Sequence, residues 1–247
     1  MRTPGEAVSE ILEHTAGPGE AEDCVLAEAA GRVLASDVEA DRDLPPFEKS
    51  AMDGFAVRLA DFADAAGEVE LEVLGESKAG APVEGPIKDG QCVAIYTGAE
   101  APADCDAVVM VEKTRREGDR VWIEDHPGDR QNICAKGEDL SVGRVVLEPG
   151  RRLRPVDLSV LAAVGCDPVC VFRRPRVSIL TTGDELVAPS EKPGLGEIRE
   201  GNTLHLAAMA SAAGAEVLTV GLIADDEDVL AEAFEEALST SDALITT

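Results

Sequence analysis

The sequence predicts an α/β protein of several domains, with a β-rich segment inserted into a small α/β unit and a parallel-sheet α/β domain after it. Two patterns carry this. From Arg174 onward, strand-like and helical stretches alternate at the lengths of βαβ units, which build parallel sheets. Between residues 43 and 136 the apolar residues instead alternate with period two, as at Val69, Leu71 and Val73 and at Val121 and Ile123, with Gly and Pro between segments.

Taken in order, residues 5–16 place Val8, Ile11 and Leu12 at helical spacing, and LAEAAGRVLA from Leu26 to Ala35 is a second helical candidate. Pro45 and Pro46 then stiffen the approach to SAMDGFAV, where Asp53 falls as a loop becomes a strand of Phe55, Ala56 and Val57. Gly54 there permits a backbone that other residues resist. Ala107 to Val111 is a short apolar run. After Gly137 come a strand in VVLEPG, a helix from Pro155 to Val164 with Gly165 just past its end, and a strand from Pro168 to Phe172. The last region reads as a strand at Val177–Thr181, a helix at Asn202–Ala213 capped by Asn202, and a strand at Glu216–Ile223. A helix at Asp226–Leu238 and a strand at Ala243–Thr247 follow. No crossover helix follows that strand, so the parallel sheet reads as cut short.

Composition narrows the function. With 247 residues, 45% of them hydrophobic and 3% aromatic, the chain can fill more than one core, and those cores must be aliphatic. The formal net charge is -27, from 49 acidic and 22 basic residues spread along the chain. Phosphate backbones and acidic lipids demand basic patches, so nucleic acid and anionic membrane are excluded as partners. The dispersed acidity, with 16 Arg against 6 Lys, reads as the hydrated carboxylate surface of a halophile. Six cysteines stand at spacings that match no zinc or redox motif, and most read as small buried apolar residues of a reducing compartment. The N-terminus lacks a signal peptide's apolar region, and a cytoplasmic protein is expected.

Candidate site residues are carboxylates at turns. Ligands of open parallel sheets bind beyond the carboxyl ends of the strands. TTGDEL supplies Asp184 and Glu185 there, and GLIADDED supplies Asp225 and Asp226. Singly, each has a structural explanation: a turn for Asp184, a helix cap for Asp225 or Asp226. Together they concentrate negative charge that a hard cation such as Mg²⁺ would stabilise. In the β-rich segment, Thr97 and Gly98 form a hydroxyl-plus-glycine turn that could let an anion approach backbone amides, although a plain turn explains them locally. Glu138 and Asp139 lie in a polar loop between glycines, and Asp53 taken alone reads as a turn former.

The combination says more. LPPFEKSAMDGFAV, YTGAEAPADCDAVVMVE, KGEDLSVG, ILTTGDELV, EIREGNTLHL and GLIADDED resemble, in this order and spacing, the MoeA-type molybdopterin molybdotransferases, the family that includes the E domain of gephyrin. The resemblance implies an elongated fold: a β-rich domain at 43–136 inserted into a linker domain at 21–42 and 137–172, an N-terminal helix within 1–20 packing on the α/β domain, and an α/β domain at 173–247 similar to the family's adenylating partner (MogA-like). It implies molybdenum cofactor biosynthesis, in which a partner adenylyltransferase supplies adenylated molybdopterin and the family member inserts molybdate and releases AMP with Mg²⁺. Family positions match Asp53, Asp139, Glu185 and Asp225 as catalytic residues, with Glu185 and Asp225 as metal ligands. Ser50, Thr97, Gly98, Asp184 and Asn202 match as substrate-binding residues. A homodimer with a composite cleft is also implied. Family members continue past Thr247 into a Gly- and Ser-rich loop and a further β domain, so the chain reads as C-terminally truncated. A non-catalytic scaffold of the same fold, as in gephyrin, or an inactive fragment is the alternative reading. Tungstate is left open beside molybdate, because the two oxyanions share shape and charge.

The charge carries a direct test. Because -27 repels itself at low ionic strength, the melting temperature of the protein rises with potassium chloride; a melt indifferent to salt contradicts the halophilic reading.

Overall fold

The structure is a computed structural model and describes residues 2–247 apart from 16 and 18. The chain forms two units, one of Met1–Val38 with Leu147–Thr247 and one of Glu39–Val146. In the first, α1 (Pro4–His14) starts at a capping box: Thr3 Oγ1 accepts the Glu6 N–H at 3.3 Å and Glu6 Oε2 accepts the Thr3 N–H at 2.7 Å. Position 16, where the expected helix ends, lies outside the described residues. α1, expected to pack on the α/β domain, buries no residue and leaves Val8, Ile11 and Leu12 exposed. β1 (Ala21–Cys24) follows.

The helix expected at Leu26–Ala35 is corrected by the structure, which has only one 3-10 turn at Leu26–Glu28. Gly31 stands at φ +77, its N–H donates to Leu153 O at 2.8 Å, and the Leu34 N–H donates to Arg151 O at 2.9 Å. Pairing across to residues 151–153 buries Leu34 completely, and that burial outweighs the local helical preference.

The β-rich unit holds a six-stranded sheet of β2 (Gly54–Val57), β3 (Val69–Ser77), β4 (Gln91–Ile95), β5 (Ala107–Met110), β6 (Thr114–Glu117) and β7 (Arg120–Ile123). Its spatial order is β5-β2-β4-β3-β7-β6, antiparallel except for the β3–β4 pair. One face buries Phe55, Val57, Phe62, Leu71, Val109, Val121 and Ile123, and the other Ala56, Ile87, Val93, Ile95 and Val108. β2 and β5 are thus covered on both sides, which is why GFAV and AVVM read as unbroken apolar runs while β3, half covered, alternates. Apart from Phe55, Phe62, Cys92 and Cys105, both clusters are aliphatic. Gly54 has a different reason from the one expected. Where β2 meets β5, a Cβ on Gly54 would lie 1.9 Å from Val109 O, so space and not dihedral freedom fixes the residue.

The rest of the first unit comprises α2 (Pro155–Ala163), β8 (Val169–Phe172) antiparallel to β1, β9 (Arg176–Thr182), α3 (Asn202–Ala213), β10 (Glu216–Ile223), α4 (Glu227–Thr240) and β11 (Ala243–Thr246). The sheet β10-β9-β11 is parallel throughout, with β9 central and buried from Val177 to Thr181. β10 is an edge strand whose Leu218, Val220 and Leu222 are 40%, 46% and 42% exposed. Of the cysteines, Cys24, Cys92 and Cys105 are buried and Cys134, Cys166 and Cys170 half-buried, fewer in the interior than expected. Burial pushes the Cys92 thiol up to about 12 and the Cys105 thiol up to about 11.

Gly54→Ala forces a methyl into the Val109 carbonyl. The expected outcome is a loss of roughly 1–3 kcal/mol in denaturant unfolding, the cost of forced overpacking; an unchanged midpoint contradicts this packing.

Candidate functional site

In the β-rich unit the short strand Lys49–Ser50 pairs antiparallel with Ile133–Cys134 and delivers the chain to Asp53. Ser50 is fully buried; its Oγ donates to Met52 O at 2.6 Å and accepts the Met52 N–H at 3.2 Å, which sets the turn. Asp53 is exposed, and Thr97 donates both its N–H and its Oγ1 hydroxyl to Asp53 Oδ1, each at 2.7 Å. The Thr97 amide first and the hydroxyl second hold the Asp53 carboxyl below the usual carboxylate range. Among the described residues, Asp53 Oδ2 accepts no hydrogen bond.

The plain-turn explanation of Thr97–Gly98, preferred on local grounds, fits their amides, which are not open to an anion. The Thr97 N–H goes to Asp53, the Gly98 N–H to Ser50 O at 2.8 Å, and the Ala99 N–H to Tyr96 O at 2.9 Å. These amides and the Thr97 hydroxyl all have acceptors, and the free chemistry is that of the Asp53 carboxylate oxygen Oδ2.

Asp139 lies in a loop laid along the prolines that lead to Ser50: its N–H donates to Leu44 O at 3.0 Å, and the Gly137 N–H to Pro45 O at 2.9 Å. Glu138 accepts the Ala135 N–H at 2.8 Å and forms the turn, while the Asp139 carboxylate is exposed and accepts nothing among the described residues. Sequence reasoning missed the bidentate pair that braces this region, Arg130 Nη1 to Glu48 Oε2 at 2.8 Å and Nη2 to Oε1 at 2.5 Å; a separation of 82 residues hides it.

In the other unit, the loops after β9 and β10 meet at the carboxyl ends of those strands. Asp184 Oδ1 accepts the Asp225 N–H at 3.2 Å. The Glu185 carboxylate folds back over Gly183, which stands at φ +150 and whose added Cβ would lie 2.8 Å from Glu185 Oε2. Asp226 Oδ1 caps α4, accepting the Asp228 and Val229 N–H groups at 3.1 Å each, so Asp225 is not the cap.

Asn202 is likewise not the cap of α3. Gly201 occupies that position, and the carboxylate that serves the helix start is Glu200, buried, which accepts the Thr203 N–H at 2.8 Å and its hydroxyl at 2.5 Å. Burial pushes the Glu200 carboxyl up, but hydrogen bonds from Thr203, Asn202 and Gly201 together outweigh it and leave it below the ordinary value. The Asn202 Nδ2 reaches Thr247 Oγ1 at 3.5 Å. The signal for Glu200 was present as a glutamate three residues before a threonine at a helix start.

Ser50, Asp53, Thr97, Gly98 and Asp139 therefore belong to one unit, and Asp184, Glu185, Asn202 and Asp225 to the other. Among the described residues no group of three or more His, Cys, Asp or Glu side chains could hold a metal ion unaided, and no helix is long and apolar enough to cross a membrane. The side chains of Glu185 and Asp225 accept no hydrogen bond within that set.

Residues 2–165 match the family described as the MoeA N-terminal region (domain I and II), and residues 178–247 match a probable molybdopterin binding domain. The chain is 38% identical over 247 residues to a molybdopterin molybdenumtransferase of Haemophilus influenzae, and 39% identical to one of Bacillus subtilis. It is covered completely in both, while spanning 60% and 59% of their lengths. The crystal structure of a molybdopterin biosynthesis moeA protein from Pyrococcus horikoshii OT3 superposes with a TM-score of 0.88 at 34% identity, over 98% of this chain and 65% of that one.

The Asp53–Thr97 contact sets a pH dependence. A carboxyl whose folded value is depressed adds stability that is present above its unfolded value of about 3.9 and lost as pH falls through the lower folded value. Thr97→Val removes the hydroxyl and keeps the amide. The Asp53 titration midpoint, followed by carboxyl-carbon NMR, then moves part of the way up; an unmoved midpoint contradicts the contact.

Proposed function

The chain belongs to the MoeA family, and from that premise we propose that it works in molybdenum cofactor biosynthesis as a molybdopterin molybdotransferase. In this reading it takes adenylated molybdopterin from an adenylyltransferase partner, inserts molybdate or tungstate as substrate, and releases AMP. It acts in the cytoplasm, as a homodimer. The relatives named molybdopterin molybdenumtransferase support the reading. The observation that carries it is the set of carboxylates at turns: Asp139, Glu185 and Asp225 accept no hydrogen bond among the described residues, and Asp53, which holds Thr97 through Oδ1, keeps Oδ2 free.

Each residue has a task that follows from its position. Ser50 fixes the turn that presents Asp53, and Thr97 keeps Asp53 ionised and aimed, leaving Oδ2 to act on a substrate proton or water. Asp139 offers a second exposed carboxylate from the loop beside Leu44. Asp184 draws the loop of Asp225 to that of Glu185. Mg²⁺ is ordinarily held by one or two carboxylates together with substrate phosphate oxygens and does not need an all-protein cage. Two carboxylates without hydrogen-bond partners fit that demand, so Glu185 and Asp225 would hold the ion. When bound, it supplies positive charge between carboxylate and phosphate, offsetting the repulsion that an acidic chain exerts on an anionic substrate.

The test separates chemistry from folding in the protein at its full encoded length. Glu185→Gln keeps shape and removes charge; the expected outcome is loss of AMP release from adenylated molybdopterin, molybdate and Mg²⁺ with little change in melting. Asp226→Ala removes the α4 cap, costing about 1 kcal/mol of stability with turnover kept. Normal turnover by Glu185→Gln would overturn the catalytic reading.

A further inference from the structure

We propose that Lys49 is the phosphate-anchoring residue of the β-rich unit, and that the group it takes is a phosphate or pyrophosphate oxyanion of the substrate. The assignment deepens the function proposed above and rests on it.

A phosphate ester needs donors, and those of the turn beside Asp53 are already engaged. The amides of Thr97, Gly98 and Ala99 donate to Asp53, Ser50 and Tyr96, and the Ala51 amide donates to Asn132 O at 2.9 Å. An oxyanion arriving beside this carboxylate must be met by a cationic side chain or a bridging ion.

Most cations of the unit are committed. Among the described residues from 39 to 146, Arg42, Arg58, Lys78, Lys113, Arg115, Arg116, Arg120, Arg130 and Lys136 each have a carboxylate within ion-pair distance. Lys49, Lys88 and Arg144 do not. Lys88 belongs elsewhere, lining a cavity of about 700 Å³ with Arg58, Asp89, Asp104 and Asp106. Arg144 sits in the loop that the Ala40 amide closes. Lys49 alone of the three immediately precedes Ser50 in the strand that leads to Asp53.

Its lack of a partner is not for want of an acid nearby. Lys49 bridges Glu100 on one side of its strand and is opposed by Cys134 on the other, and directly opposed residues of antiparallel strands share a face. Even so, no carboxylate lies within ion-pair distance of its ammonium, although the chain carries 49 acids. The residue is partly buried, so its stem lies along the protein and its position is restricted. An ammonium without an ion pair, four residues before Asp53, is suited to one phosphate group at a time, as a point charge.

Titration calorimetry of the whole chain with pyrophosphate and with inorganic phosphate tests this, with a thermal melt of each variant as the folding control. Wild type binds pyrophosphate; Lys49→Gln weakens it about tenfold or more, Lys49→Arg stays within about threefold, and Lys88→Gln binds as wild type. No binding by wild type, unchanged binding by Lys49→Gln, or an equal loss in Lys88→Gln would each overturn the proposal. A turnover assay keeps the two readings apart. Lys49→Gln raises KM for adenylated molybdopterin and keeps kcat if both hold. AMP release with an unchanged KM defeats the anchor alone, and Lys49-dependent pyrophosphate binding without any AMP release defeats the proposed function alone.

Discussion

At three of the loops that carry candidate residues, backbone donors are engaged by a neighbouring acceptor before any ligand arrives, and that constraint acts in both units. The Thr97–Gly98 turn gives its amides to Asp53 and Ser50, the first turn of α3 gives its own to Glu200, and the Asp225 amide goes to Asp184. Buried or strained amides cannot be left without partners cheaply, so each loop is locked by the residue that receives them. Recognition is thereby transferred from backbone to side chains. The side-chain groups that remain without a partner are carboxylates and the Lys49 ammonium, a set suited to ions and protons and poor for wrapping a phosphate in amides.

The acidic motifs divide this work in pairs. In each of the three doublets one carboxylate builds the loop and its neighbour stays free: Glu138 takes the Ala135 amide beside Asp139, Asp184 takes the Asp225 amide beside Glu185, and Asp226 caps α4 beside Asp225. The turn-forming explanation and the chemical one are both correct, each for a different member of the pair. Asp53 combines the two tasks in one residue, holding the Thr97 turn through Oδ1 and keeping Oδ2 free, because an ionised carboxylate has two oxygens to share out.

Much of this was legible in the residues. Alternation and helical spacing gave β9, α3, β10, α4 and β11 close to their observed limits, because these elements satisfy themselves locally and through neighbouring strands. The Leu26–Ala35 stretch was not legible, since its fate depends on residues 151–153 far along the chain. The same holds for Glu48 with Arg130. Gly54 was singled out correctly and explained wrongly, as sequence shows that a side chain is missing but not what stands in its place, here Val109 O. Among the doublets, spacing located the loops but could not say which acid of each pair faces inward to the backbone.

β10 has a consequence of another kind. Among the described residues β10 pairs on one side only and exposes a row of Leu218, Val220 and Leu222, a template on which another strand can align. What keeps two such edges apart is the long-range repulsion between highly charged copies, and dissolved salt shortens its reach while leaving apolar attraction intact. Colloidal behaviour and folding therefore respond to ionic strength in opposite senses: the salt that relieves repulsion within one molecule also removes the barrier between two, and the chain is best kept in the window between them.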